Sequence, residues 1–139
     1  MTDVLTPKQR SFCMSRIQGK DTKPEMIVRK VLHALGYRYR LHIRSLPGNP
    51  DLVFPARRKI IFIHGCFWHR HNCRFGRVMP NTRRKFWKAK LEGNQSRDRK
   101  NRRELCELSW ETFVAWECQT RRMEWLLPRL LEFLEDDRS

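Results

Sequence analysis

Apolar and polar positions change their period several times along this chain, and each change marks an element. Thr6-Pro7-Lys8-Gln9 reads as a capping box with Pro in the first turn, opening a helix that Gly19 ends. Thr22-Lys23-Pro24-Glu25 repeats the device. It opens a second helix with Ile27, Val31, Ala34 and Leu35 on one face and Gly36 as its stop. The period then falls to two over Tyr37-Arg38-Tyr39-Arg40-Leu41, an edge or half-buried strand. Leu46-Pro47-Gly48-Asn49-Pro50 is turn chemistry, and Asp51-Leu52-Val53-Phe54 is a short strand. A turn at Ala56-Arg57-Arg58 leads into Lys59-Ile60-Ile61-Phe62-Ile63-His64, apolar on both faces and therefore central. Residues 65–81 carry Gly, Cys, His and Pro without a period. Beyond them the pattern predicts helices from about Arg84 to Leu91 and about Arg97 to Leu108, a strand from Trp110 to Trp116 and a closing helix from Met123 to Leu134. This order implies an α/β domain over 1–139, a mixed four- to five-stranded sheet covered by helices, with 1–20 as an N-terminal helix or arm. No internal repeat or low-complexity tract interrupts it.

Composition narrows the class. Hydrophobic residues make up 40% of the 139 positions and aromatics 11%, too many for a disordered basic tail. No apolar stretch approaches 18 residues, and no apolar core follows the N-terminal charges. A chain without span or secretion signal is expected in the cytoplasm. The charge is lopsided: residues 1–91 hold 21 Lys and Arg against four acids, a balance of +17, while 92–139 hold nine against eleven, a balance of −2. Such a field repels itself unless a polyanion offsets it, which points to nucleic acid. An anionic membrane is the weaker alternative, because no lipidation signal is present. Glu25 and Asp51 stand out as acids in the basic two-thirds, where a phosphate-bound metal would be held, although Glu25 also fits a capping box.

The run His64-Gly65-Cys66-Phe67-Trp68-His69-Arg70-His71-Asn72-Cys73 concentrates thiols and imidazoles, the preferred ligands of zinc. Cys66, His71 and Cys73 need a fourth ligand, and Cys118, just after the fourth predicted strand, is the best candidate. Cys106 falls inside a predicted helix, where a buried thiol is the usual role. Five cysteines without a secretion signal argue against disulfides. A structural Zn²⁺ would staple the irregular segment. His64 and His69 are then left over, either as second-shell partners of the zinc or as proton acceptors. Pro50-Asp51 opens one strand and Phe62-Ile63-His64 closes the next, so an antiparallel pair brings Asp51 to residues 62–64 at one sheet edge. A metal on Asp51 would polarise a phosphate there.

These residues resemble the very-short-patch repair (Vsr) mismatch endonucleases. The likeness is carried by Ser45 to Asp51, by Ile63 to Cys73, by Asp21-Thr22 with Glu25, and by Phe86-Trp87 with Lys90 and Asn94. Arg97-Asp98 and Trp116-Glu117-Cys118 complete it, and it runs from about residue 8 to 135. The resemblance implies a restriction-endonuclease-like fold and Mg²⁺-dependent nicking of duplex DNA 5′ to the thymine of a T·G mismatch left by 5-methylcytosine deamination. It makes Asp51 and the main-chain carbonyl of Ile63 magnesium ligands and His69 the general base, with His64 and Glu25 in support. It makes Cys66, His71, Cys73 and Cys118 the ligands of a structural zinc. Phe67, Trp68 and Trp87, which would otherwise read as core, become exposed wedges in the base stack, with Met14 entering from the minor groove. Lys90 and Asn94 contact the mismatched pair. The family also implies a monomer, nucleoid-associated, working beside mismatch-repair proteins. Trp110, Trp116 and Trp125 lie on packing faces and read as core. Runner-up readings are a nuclease of matched sites and a non-catalytic zinc module that binds DNA.

Overall fold

The computed structural model describes residues 22–136. The expected helix from Thr6 to Gly19, the N-terminal arm and Met14 lie outside the described residues. The elements are α1 (Lys23–Ala34), β1 (Arg40–Leu41), β2 (Leu52–Phe54), a 3-10 turn (Pro55–Arg57), β3 (Lys59–His64), α2 (Arg84–Glu107), β4 (Glu111–Trp116), α3 (Glu117–Thr120) and α4 (Met123–Glu135).

The four strands form one sheet in the order β1-β2-β3-β4. β1, β2 and β3 are antiparallel neighbours, Leu41 opposite Leu52 and Leu52 opposite Ile61, while β4 runs parallel to β3 after the crossover through α2. β3 is buried along nearly its whole length, as a strand apolar on both faces must be. One face carries Leu52, Phe54 and Ile61 against Val28 and Leu32 of α1 and Leu126, Leu130 and Leu134 of α4. The other carries Val53, Ile60 and Phe62 against Leu105 of α2 and Trp110. The expected mixed sheet with covering helices is therefore present, with four strands.

Three expectations change in detail. The buried stripe of α1 is Glu25, Val28 and Leu32, not Ile27, Val31, Ala34 and Leu35, and Leu35 is 53% exposed. Both stripes have helical spacing, and a Glu in the inward one made it read as solvent-facing. The two helices expected around Gly93 are one helix of 24 residues. A helical Gly costs only about 1 kcal/mol, which the packing of α2 along the sheet and the loop below it offsets. The period-two stretch 37–41 pairs only at Arg40 and Leu41; Tyr37 and Tyr39 pack on the core outside the ladder.

Candidate active site

β1, β2 and β3 meet at one corner of the sheet, and α1 closes over it. Asp51 stands one place before β2, and its Oδ2 accepts the Ile63 N–H at 2.6 Å. The hairpin thus brings Asp51 to residues 62–64 as the sequence predicts. The turn before it fits tightly: Gly48 has φ +82°, and a Cβ there would lie 3.1 Å from Asn101 Cβ of α2 and 3.2 Å from the Phe62 ring. The register of β1 sets His42 opposite Asp51, and the His42 N–H donates to the Asp51 carbonyl at 3.2 Å. Glu25, 1% exposed, comes down from α1. Its Oε2 lies 2.9 Å from His42 Nε2 and 3.2 Å from Arg29. Thr22 makes no side-chain cap, so Glu25 turns inward instead of closing a capping box. Burial, helped by the nearby Glu25 charge, pushes the Asp51 carboxyl up to about 7 against the pull of the Ile63 N–H. Glu25, His42 and Asp51 each offer a ligand atom within 4.8 Å of the others. A buried and a half-buried carboxylate this close call for a cation, and hard oxygens suit a divalent one such as Mg²⁺.

A second cluster leaves the end of β3 on the α2 side. His64 is buried and its ring stacks on His69, centroids 3.8 Å apart and planes 8° from parallel. His69 Nδ1 lies 2.5 Å from Asp98 Oδ2 of α2. A carboxylate only accepts, so Nδ1 carries the proton and Nε2 is left as the basic nitrogen. Burial first, and His69 next, push His64 down to about 3, so it stays neutral. His64, His69 and Asp98 also offer ligand atoms within 4.8 Å of one another. Lone pairs of stacked rings lie in parallel planes, however, and one ion cannot sit in both. This geometry suits proton transfer better than metal ligation.

The third cluster is Cys66, His71, Cys73 and Cys118, whose ligand atoms all lie within 4.8 Å of one another. His71 Nδ1 is 3.7 Å from Cys66 Sγ and 3.5 Å from Cys118 Sγ. A tetrahedral zinc with ordinary bond lengths sets sulfur and nitrogen about 3.5 Å apart, so the donors fit that ion. All four described cysteines are free thiols, and Cys106 is exposed on α2, not buried as expected. Burial pushes the Cys66 and Cys118 thiols up and holds His71 down in its neutral form. Burial also acts on Cys73, but the Gly76 N–H and neighbouring thiols outweigh it and lower its pKa. The segment is wound tightly: a Cβ at Gly76 would fall 1.9 Å from the His71 carbonyl oxygen. Trp116 stacks on His71 at 4.2 Å and meets His64 edge-on at 5.3 Å. A row of rings therefore joins the thiol cluster to the His69 pair.

Beside this row, Phe67, Trp68 and Trp87 meet edge to face or tilted, with centroids 5.3 to 5.9 Å apart. The expectation that all three are exposed is corrected for Trp68, which is 6% exposed beneath α2, while Phe67 and Trp87 are half-buried. Phe86, 45% exposed, stands outermost against Trp87. Asn94 donates to the Trp68 carbonyl at 3.1 Å and accepts from Arg97 at 2.5 Å, and Lys90 is half-buried one turn earlier. Trp110 is core as expected. Trp116 belongs to the ring row, and Trp125 is 37% exposed under Arg129 rather than packed.

Sequence reasoning gave no role to His42, Asp98 or Trp116 at these clusters. Trp87, Leu91, Asn94 and Asp98 recur at steps of four, three and four along α2. That stripe is legible only when 84–107 is read as one helix. His42 follows from extending the β1–β2 register by one pair.

The profile for DNA mismatch endonuclease Vsr matches residues 2–75. The chain is 44% identical over 135 residues to the type II nicking enzyme V.XorIIP of Xanthomonas oryzae, covering 97% of this chain and 98% of that protein. It is 42% identical over 121 residues to the type II nicking enzyme V.NmeAIP of Neisseria meningitidis, covering 87% and 86%. It is also 41% identical over 137 residues to DNA mismatch endonuclease Vsr of Escherichia coli, covering 98% and 87%. With matches of this identity over nearly the whole chain, the chain belongs to the Vsr family of DNA mismatch endonucleases.

Proposed function

We propose that this protein is a Mg²⁺-dependent endonuclease of restriction-endonuclease-like fold that nicks duplex DNA 5′ to the thymine of a T·G mismatch. The observation that carries the reading is that successive residues of β3 hold both clusters: Asp51 on the Ile63 N–H, and the Asp98–His69 pair stacked on His64. Asp51 and the Ile63 carbonyl hold the Mg²⁺, the carbonyl leaving β3 on the same side as the N–H that Asp51 already accepts. When bound, the cation polarises the scissile phosphate and offsets the developing charge. His69 Nε2 accepts the proton of the attacking water, with Asp98 fixing the tautomer. His64, neutral and flat against His69, fixes its plane without adding charge. Glu25 orders the water and metal shell.

A structural Zn²⁺ on Cys66, His71, Cys73 and Cys118 fixes the loop that carries His69. Phe67 and Trp87 serve as the wedge at the mismatch, where unstacking costs least, with Trp68 packed behind them. Lys90 and Asn94 meet the mismatched pair, Asn94 by exchanging its present bonds to Trp68 and Arg97, and Met14 enters from the minor groove. Arg83, Arg84, Lys85 and Lys88 crowd the N-terminal end of α2, where no acid in the first turn offsets the helix dipole, and DNA phosphates would supply that charge. The protein acts as a single-domain monomer in the cytoplasm, on the nucleoid and beside mismatch-repair proteins. No helix among the described residues is long and apolar enough to cross a membrane.

Single-turnover nicking of a T·G duplex tests the proton-transfer half of this reading. His69→Ala is expected to slow the nick by about 10²- to 10⁴-fold, with smaller loss for Asp98→Asn and unchanged binding of the same duplex. Wild-type rates in both variants would remove His69 from the chemistry.

A further inference from the structure

We propose that His42 is a positioning residue, a rigid strut that holds the Glu25 and Asp51 carboxylates at the separation a divalent cation requires. The proposal rests on the nuclease reading of Asp51 given above. Glu25 belongs to α1 and Asp51 to the sheet, so their spacing depends on whatever spans the two. His42 touches both. Its Nε2 lies 2.9 Å from Glu25 Oε2 and its Nδ1 3.9 Å from Asp51 Oδ1. Its main-chain N–H donates to the Asp51 carbonyl at 3.2 Å, so the backbone ties His42 to the residue its ring adjoins. The ring itself is held: its side chain is only 14% exposed, on a backbone at φ +49° in the left-handed region that His enters more readily than most residues. The ring nitrogens diverge, so they cannot both meet one ion. With each facing a different carboxylate, the imidazole acts on the cation through Glu25 and Asp51. A planar ring has no torsion between its two nitrogens, so it fixes a distance that a flexible side chain would leave free.

The test uses full-length, zinc-loaded protein and measures Mn²⁺ binding to the free protein by electron paramagnetic resonance, with Asp51→Asn identifying the site. His42→Ala is expected to weaken Asp51-dependent Mn²⁺ binding by about tenfold or more and to raise the Mg²⁺ half-saturation of nicking in parallel. His42→Gln, whose amide can meet Glu25 but whose torsions leave the Asp51 side free, is expected to bind Mn²⁺ about as weakly as His42→Ala. Without divalent cation, His42→Gln should melt above His42→Ala because it keeps a donor toward the buried Glu25, so stability recovers while Mn²⁺ affinity does not, a split that a merely structural role would not give. Wild-type Mn²⁺ affinity in His42→Ala overturns the strut, with nicking by wild type and its loss in Asp51→Asn showing that the nuclease reading survives. Recovery of Mn²⁺ affinity by His42→Gln in step with the midpoint also overturns it. Absence of Asp51-dependent Mn²⁺ binding in wild type overturns the strut together with the cation site beneath it.

Discussion

Asp51→Asn is expected to remove Mg²⁺-dependent nicking, a loss of at least about 10³-fold in the single-turnover rate, while the protein folds and becomes more stable. The loss follows from charge: a cation acting on a phosphate supplies several kcal/mol of transition-state stabilisation, and each tenfold corresponds to about 1.4 kcal/mol. The fold survives because the Asn carbonyl oxygen still accepts the Ile63 N–H that Asp51 accepts. The gain in stability follows from burial. The Asp51 carboxyl is pushed from 3.8 up to about 7 by burial and then by Glu25. Between those values the folded chain keeps a proton that the unfolded chain has lost, so stability falls as pH rises through the window. Without divalent cation, Asn spares the protein that loss. At pH 8 the variant should therefore melt above wild type, and below pH 4 the two should coincide. Thermal melts at the two pH values, with nicking assays on the same samples, check both halves. A variant that nicks normally, or melts lower at pH 8, contradicts the account.

Cys118→Ser is expected to lower zinc content from one ion per chain and to slow nicking by about 100-fold or more while far-UV circular dichroism changes little. Folding energy in such a loop comes from the ion itself. Residues 65–81 hold neither helix nor strand, whereas both apolar clusters of the core are assembled from other residues. Loss of the ion should therefore free the loop and leave the sheet. The row of rings carries the damage inward: His71 stacks on Trp116, Trp116 meets His64, and His64 stacks on His69. Metal analysis beside the nicking rate checks this. Full activity in zinc-free protein would break the link between the two sites.

Much of this was legible in the sequence because its signals were local. The β2–β3 hairpin follows from a turn between two apolar runs, and its register alone carries Asp51 to Ile63. The four donors of the thiol cluster were chosen on ligand chemistry, and the fold brings all four together. What failed was non-local. Gly93 read as a break because its cost is local and the packing that offsets it is not. Splitting α2 there hid the stripe that delivers Asp98 to His69. Glu25 turned the face of α1 because an acid counts as polar until a buried partner is known. Trp68 reads as core by residue type and as exposed only through the family resemblance, and α2 lying over it decides for burial.

The central claim is metal-dependent nicking at a mismatch, and one assay tests it most directly. An end-labelled duplex with a single T·G pair is incubated beside its matched T·A control, with Mg²⁺ and with no divalent cation added. Simple omission is preferable to EDTA, which would also strip a thiolate-bound zinc. The account predicts a nick 5′ to the mismatched thymine, present with Mg²⁺ and absent from the matched duplex. Equal cutting of both duplexes, or cutting without the cation, would contradict it.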